Sequence, residues 1–93
     1  MKSFSYQDIT LLPQSSPYVT VHRVIVELSE MACINFRILA EWRESYGTLY
    51  YRVETDYHSA FTVRIRPNGY ADFMRDESSF SIAPLDESYK LTN

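Results

Sequence analysis

Residues 32–54, ACINFRILAEWRESYGTLYYRVE, contain the pattern that decides the fold. From Ile34 to Trp42 every second residue is apolar, and the residues between them are mostly polar. This alternation is typical of a strand with one buried face. A second alternating run follows at residues 49–54, after a turn at residues 44–47. We therefore predict a long β-hairpin.

The predicted register of this hairpin is supported by both of its faces. If Arg43 pairs with Thr48, the apolar pairs on one face are Trp42–Leu49, Ala40–Tyr51 and Ile38–Val53. On the opposite face Arg37 then lies across from Glu54, an oppositely charged pair. A shift of one residue would exchange the two faces.

A helix over residues 29–46 is the alternative for the first half of this stretch. Ser29 is a suitable N-cap, and Gly47 is a suitable residue after the last turn. The apolar stripe of such a helix, however, leaves out Phe36 and Ala40. The strand accounts for the alternation better and also agrees with the pairing that follows.

The remaining strands are predicted from β-branched and alternating residues. Residues 18–28, YVTVHRVIVEL, are rich in valine and isoleucine and are predicted to form a strand. Residues 60–66 and 70–73 flank Pro-Asn-Gly at 67–69, which indicates a second hairpin. Its register places Arg64 opposite Asp72, and residues 80–82 pair back onto it.

These elements predict a single all-β domain over residues 1–93. Its architecture is an antiparallel meander of about six strands, either a curled sheet or a small barrel. We assign residues 1–17 to an N-terminal arm with a Pro/Ser loop, 18–83 to the meander and 84–93 to a polar tail. The helix over residues 29–46 would give an α+β fold instead.

Composition narrows the function classes. The chain has a net charge of −3, which disfavours general nucleic-acid binding. Cys33 is the only cysteine, so no intrachain disulfide can form. We predict that its side chain is buried as a small hydrophobic residue. No signal peptide or membrane span is recognisable. We expect a small acidic cytoplasmic protein with no cofactor and no metal site.

Residues suited to catalysis are few. Asp56, Tyr57 and His58 are adjacent, and a carboxylate that orients an imidazole is the beginning of general-base chemistry. Nothing in the sequence supplies a nucleophile or an oxyanion loop to complete such a site. His22, within an apolar segment, is predicted to be a structural histidine. We therefore predict that the protein is not an enzyme.

The best candidate for a binding surface is an exposed sheet face rich in arginine and tyrosine. The residues predicted to contact a partner are Leu39, Tyr46, Tyr50 and Arg52. Val21 and Ile25 are expected on the same face, which makes it more apolar than solvent favours. We expect the N-terminal arm, a second copy of the chain or another protein to cover it.

Three function classes follow. The first is a non-enzymatic protein–protein interaction module, such as an inhibitor, immunity protein or adaptor. The second is a single-stranded nucleic-acid binder that uses the same face. The third is a barrel that binds a small apolar ligand among inward-facing aromatic residues, namely Phe36, Trp42, Tyr51, Phe61 and Phe73.

Overall fold

The computed structural model describes residues 1–85. Most of the predicted polar tail, residues 86–93, lies outside the described residues. Within these 85 residues the chain forms six strands and two helices, in the order β1 (Lys2–Phe4), α1 (Tyr6–Thr10), α2 (Pro17–Ser29), β2 (Phe36–Arg43), β3 (Leu49–Thr55), β4 (Phe61–Ile65), β5 (Ala71–Arg75) and β6 (Ser78–Ile82).

The strands form one antiparallel sheet in the order β1-β2-β3-β4-β5-β6, so the predicted six-stranded meander is confirmed. The sheet is open, with β1 and β6 at its edges, and the predicted small barrel is wrong. The reason is that a helix, rather than further strands, covers the apolar face: α2 packs on β4 and β5. The fold is therefore mainly β, with one helical layer.

Residues 18–28 are not a strand, because they lie within helix α2. Ser16 caps this helix, accepting a hydrogen bond from the Tyr18 backbone N–H, and Pro17 occupies its first turn. The side chains of Val21, Val24 and Ile25 follow helical spacing and are fully buried. β-Branched residues lower helix propensity only slightly, and burial of this stripe outweighs that cost.

The alternative helix over residues 29–46 is also wrong. Helix α2 ends at Ser29, and the capping residue Glu30 adopts a left-handed conformation with φ of 59°. Residues 36–43 then form strand β2. Cys33, in the connection between α2 and β2, is exposed rather than buried as predicted, because this segment belongs to neither element.

The predicted N-terminal arm carries regular structure. Strand β1 pairs with the first half of β2 and aligns Phe4 with Phe36. Helix α1 begins with a capping box. The side chain of Ser5 accepts a hydrogen bond from the backbone N–H of Asp8, and the side chain of Asp8 accepts one from the backbone N–H of Ser5. Its buried residue, Ile9, joins the core. The arm therefore extends the sheet and closes one side of the helical layer.

Both predicted hairpins form, and the second has the predicted register throughout. Arg64 aligns with Asp72, and Val63 with Phe73. In the first hairpin, Arg37 aligns with Glu54 and Ile38 with Val53, also as predicted. The agreement ends at Ile38.

Beyond Ile38, a β-bulge in β2 makes the register of the first hairpin differ from the predicted one. The register shifts between Ile38 and Ala40, so that Leu39 is an extra residue without a partner on β3. Beyond it Trp42 aligns with Tyr50, not with Leu49. The bulge therefore turns Trp42 away from the core, while the other four aromatic residues predicted to face inward are buried: Phe36, Tyr51, Phe61 and Phe73.

Candidate protein-binding face

The sheet has a second face, opposite helix α2, which we call the outer face. Along each strand, successive side chains point to opposite faces of the sheet. One set is buried in the core beneath helix α2, and the other set forms the outer face. Its residues are Ser3, Arg37, Ala40, Trp42, Tyr50, Arg52, Glu54, Thr62, Arg64, Asp72, Met74, Ser79 and Ser81. No described helix packs on this face.

One row of cross-strand neighbours runs across five strands of the outer face. It consists of Trp42, Tyr50, Arg64, Asp72 and Ser81, each aligned with the next. The rings of Trp42 and Tyr50 are stacked, with centroids 5.3 Å apart and planes at 5°. Arg64 Nε donates to Asp72 Oδ2 over 2.7 Å, and Ser81 Oγ donates to Asp72 Oδ1 over 2.6 Å. Side-chain contacts therefore join the first two residues of the row, Trp42 and Tyr50, and also its last three, Arg64, Asp72 and Ser81.

Asp72 holds two arginines in place. Arg66 also donates to it, from a terminal nitrogen to Oδ1 over 3.0 Å. Burial acts to raise the pKa of Asp72, but hydrogen bonds from Ser81 and Arg64 and the nearby positive charges outweigh it and lower the pKa. The hydrogen bond between Arg64 and Asp72 also raises the pKa of Arg64. Asp72 is thus a charged carboxylate beneath two partly exposed guanidinium groups.

The other arginines of the outer face differ in their partners. Arg37 is paired with two carboxylates, Glu54 and Asp56, each at 3.0 Å. Arg52 donates to Thr62 Oγ1 over 3.1 Å and forms no ion pair within residues 1–85. Within residues 1–85, the guanidinium of Arg52 is therefore held by a hydroxyl group and not by a carboxylate.

The four residues predicted to contact a partner lie close together on or beside this face. Tyr50 and Arg52 occupy successive outer positions of β3, and Leu39 is the partly exposed residue of the bulge on β2. Tyr46 lies in the β2–β3 turn, where 84% of it is exposed. The binding role of these four residues stays a prediction.

The prediction that Val21 and Ile25 lie on this face is wrong. Both residues belong to helix α2 and lie in the core on the other side of the sheet. The prediction also missed Trp42, of which 46% is exposed beside Tyr50. The adjacent apolar residues Ile38 and Leu39 break strict alternation at the bulge, and this is the signal in the sequence that could have indicated it.

The candidate catalytic residues Asp56, Tyr57 and His58 lie in the turn after β3, and local hydrogen bonds determine their positions. Asp56 accepts from Arg37 rather than orienting His58. The Nδ1 atom of His58 lies 2.8 Å from the hydroxyl of Thr55, which also accepts the backbone N–H of Tyr57. This network fits a loop that follows a strand.

In the described part of the chain, neither His22 nor the other residue types that bind metal ions form a second candidate site. The Nε2 atom of His22 lies 2.8 Å from the Ala32 carbonyl oxygen, so it serves to fix the connection after α2. Within residues 1–85, no group of three or more His, Cys, Asp or Glu side chains is placed to hold a metal ion.

A polar cluster at the β1 edge is a direct consequence of the bulge. Beyond Leu39, Glu41 faces the helical layer, where it accepts from Lys2 and from the Tyr18 hydroxyl, each over 2.7 Å. Hydrogen bonds from Lys2 and Tyr18 lower the pKa of Glu41. The cluster joins β1, α2 and the second half of β2, and we assign it a structural role.

Comparisons of the chain with models of known protein families, with curated proteins and with solved structures find no significant match. Neither helix within residues 1–85 has the length and apolar character needed to cross a membrane.

Proposed function

We propose that the chain is a non-enzymatic protein–protein interaction module, of the inhibitor, immunity-protein or adaptor type, which contacts its partner protein through the outer face. The observation that carries this proposal is the exposed stack of Trp42 on Tyr50, with Arg52 at the next outer position of β3. We include a cytoplasmic location in the proposal, supported by the single, exposed and unpaired cysteine, Cys33.

Tryptophan, tyrosine and arginine are the residue types most enriched among those that dominate binding energy at protein interfaces. Here all three lie on adjacent positions of two paired strands. The half-exposed indole of Trp42 offers a large apolar area, and the hydroxyl of Tyr50 and the guanidinium of Arg52 offer directed hydrogen bonds. This combination fits a contact surface better than a surface made only for solubility.

The surface is also held rigid before any partner arrives. Trp42 and Tyr50 support each other by stacking, and Asp72 holds the side chain of Arg64 next to Tyr50. Strands position side chains more firmly than loops do. Binding would therefore cost little side-chain entropy, which favours affinity for a given contact area.

A photo-crosslinker on the outer face tests this proposal. We would place p-benzoylphenylalanine at Ala40, an exposed position between Trp42 and Arg52 in the sheet, and irradiate cells of the source organism that express the protein. We expect one dominant protein adduct. Combining the crosslinker with Trp42→Ala should remove that adduct, because loss of a central aromatic anchor costs about 2 kcal/mol, or about thirtyfold in affinity.

The matched control places the same crosslinker at Glu27, an exposed residue of α2 on the opposite side of the domain. This control should not yield the adduct. Equal adducts from both positions, or an adduct that persists with Trp42→Ala, would contradict the proposal. An adduct removed by nuclease would identify single-stranded nucleic acid as the ligand instead.

A further inference from the structure

The charges of the outer face are divided between its two ends. At the end that carries the β2–β3 and β4–β5 turns, Arg52, Arg64 and Arg66 accompany two carboxylates, Asp72 and the exposed Glu44 of the β2–β3 turn. We call the group formed by these three arginines, Trp42 and Tyr50 the aromatic–arginine patch. It has an excess of positive charge within a chain whose net charge is −3.

The opposite end of the outer face is acidic. There Glu54 and Asp56 share the single cation Arg37. The β5–β6 turn, which lies at the same end of the antiparallel sheet, adds Asp76 and Glu77 next to one further cation, Arg75. The outer face is therefore positively charged at one end of its strands and negatively charged at the other.

We infer that the segment of the partner protein that occupies the aromatic–arginine patch is acidic, with carboxylates that lie over Arg52 and Arg64. This inference rests on the proposed function and adds the chemistry and the orientation of the partner.

The geometry of the arginines supports a carboxylate ligand. Arg64 donates from Nε to Asp72 and also interacts with the side chain of Tyr50. Because a guanidinium group has five N–H donors, others remain for an incoming carboxylate. Arg52 has only the hydroxyl of Thr62 as a described hydrogen-bond partner. The two residues are diagonal neighbours on β3 and β4, a spacing that long side chains can bridge around one carboxylate.

The same distribution disfavours a nucleic-acid strand. Every nucleotide of a bound strand carries a phosphate, so a strand longer than the patch would bring negative charge to the acidic end. A protein segment can place acidic residues over the patch and neutral or basic residues over Glu54 and Asp56. Electrostatic complementarity of this kind sets the orientation of a complex and accelerates its formation.

The test is a selection from a random 12-residue peptide display library on the immobilised full-length protein. Peptides that depend on the outer face are those lost when the bait carries Trp42→Ala. We expect these peptides to be enriched in Asp and Glu next to an apolar residue. The affinity of one selected peptide should fall at least tenfold with Arg52→Glu and should weaken as salt is raised.

Arg43→Glu is the matched control, because it makes the same change of charge at an exposed residue that aligns with Leu49, on the side of the sheet away from the outer face. Its affinity for the peptide should stay within about twofold of the original value. Circular dichroism of each variant verifies that the fold is retained.

The possible results separate this inference from the proposed function. Peptides that depend on Trp42 but show no acidic excess, or that tolerate Arg52→Glu, overturn the inference and leave the proposed function standing. Selection of only peptides indifferent to Trp42→Ala overturns both. Tighter binding of a 12-nucleotide oligothymidylate than of any selected peptide, lost with Arg52→Glu, assigns the patch to nucleic acid and also overturns the inference.

Discussion

Replacing Asp72 by asparagine removes the charge that holds Arg64 and Arg66 on the outer face. The side chain of Asp72 is 7% exposed, and it accepts hydrogen bonds from both guanidinium groups and from Ser81. Asparagine keeps one acceptor oxygen but presents an amide NH₂ group to a guanidinium. The substitution therefore breaks one charge-assisted hydrogen bond at a buried position and removes the acceptor charge from the other.

The size of the loss follows from the exposure of the partners. A hydrogen bond to a charged group contributes roughly 1.5–3 kcal/mol, and removing one partner of a fully buried ion pair costs roughly 3–5 kcal/mol. Arg64 and Arg66 have side chains 37% exposed, so water compensates part of the loss. We expect Asp72→Asn to lower the free energy of unfolding by about 2 kcal/mol and Tm by roughly 10 °C.

Glu54→Gln is the matched control for this prediction. Glu54 faces Arg37 across β2 and β3 as Asp72 faces Arg64 across β4 and β5, and the charge change is the same. The side chain of Glu54 is 36% exposed, however, and exposed pairs contribute little. In urea denaturation monitored by circular dichroism, Glu54→Gln should lose less than half as much stability as Asp72→Asn.

The pH dependence provides an independent check. Because the pKa of Asp72 is lowered in the folded state, the unfolded chain binds the proton first as pH falls. The stability from this group is therefore complete above about pH 5 and is lost as pH falls through the unfolded value of about 3.9 towards the folded one. The gap between the original chain and Asp72→Asn should narrow over this range. A gap that stays constant, or equal losses for both variants at pH 7, would refute the reasoning.

Two further measurements test the fold. Trp42 is the only tryptophan, so quenching of its fluorescence by acrylamide should be well above that of a buried residue and below that of the urea-unfolded chain; strong protection would mean that the bulge is absent. Ile25→Ala should lower the free energy of unfolding by about 3 kcal/mol, because it opens a cavity between α2 and the sheet. Leu11→Ala, at an exposed position, should change it by less than about 0.5 kcal/mol in the same urea titration, and similar losses for the two variants would contradict the assignment of Ile25 to the core.

The candidate surface was only partly predictable from the sequence. Tyr50 and Arg52 could be assigned to the face opposite the core, because their strand alternates without interruption from residue 49 to residue 55. Trp42 could not be assigned correctly, because an uninterrupted alternation from Ile34 would place it inside. The residue that we expect to contribute most to binding was therefore the one that local pattern misplaced.

The sequence by itself determined both hairpins. Alternating apolar residues, the Pro-Asn-Gly turn and the charge pairs Arg37–Glu54 and Arg64–Asp72 are local signals. They agree with the observed register in the whole of the second hairpin and in the first hairpin as far as Ile38. The start of α2 was also present in the sequence, as Ser16 followed by Pro17. Its composition favoured a strand, because valine and isoleucine bury well in either a helix or a strand.

Only the tertiary structure decided that α2 is a helix and that β2 carries a bulge. The sheet offers one apolar face, and a helix with the stripe Val21, Val24 and Ile25 covers it in a single element. The bulge brings Glu41 to Lys2 and Tyr18, which are 39 and 23 residues away in sequence. Such contacts between distant segments leave no period in the local sequence, and they turn Trp42 to the outer face.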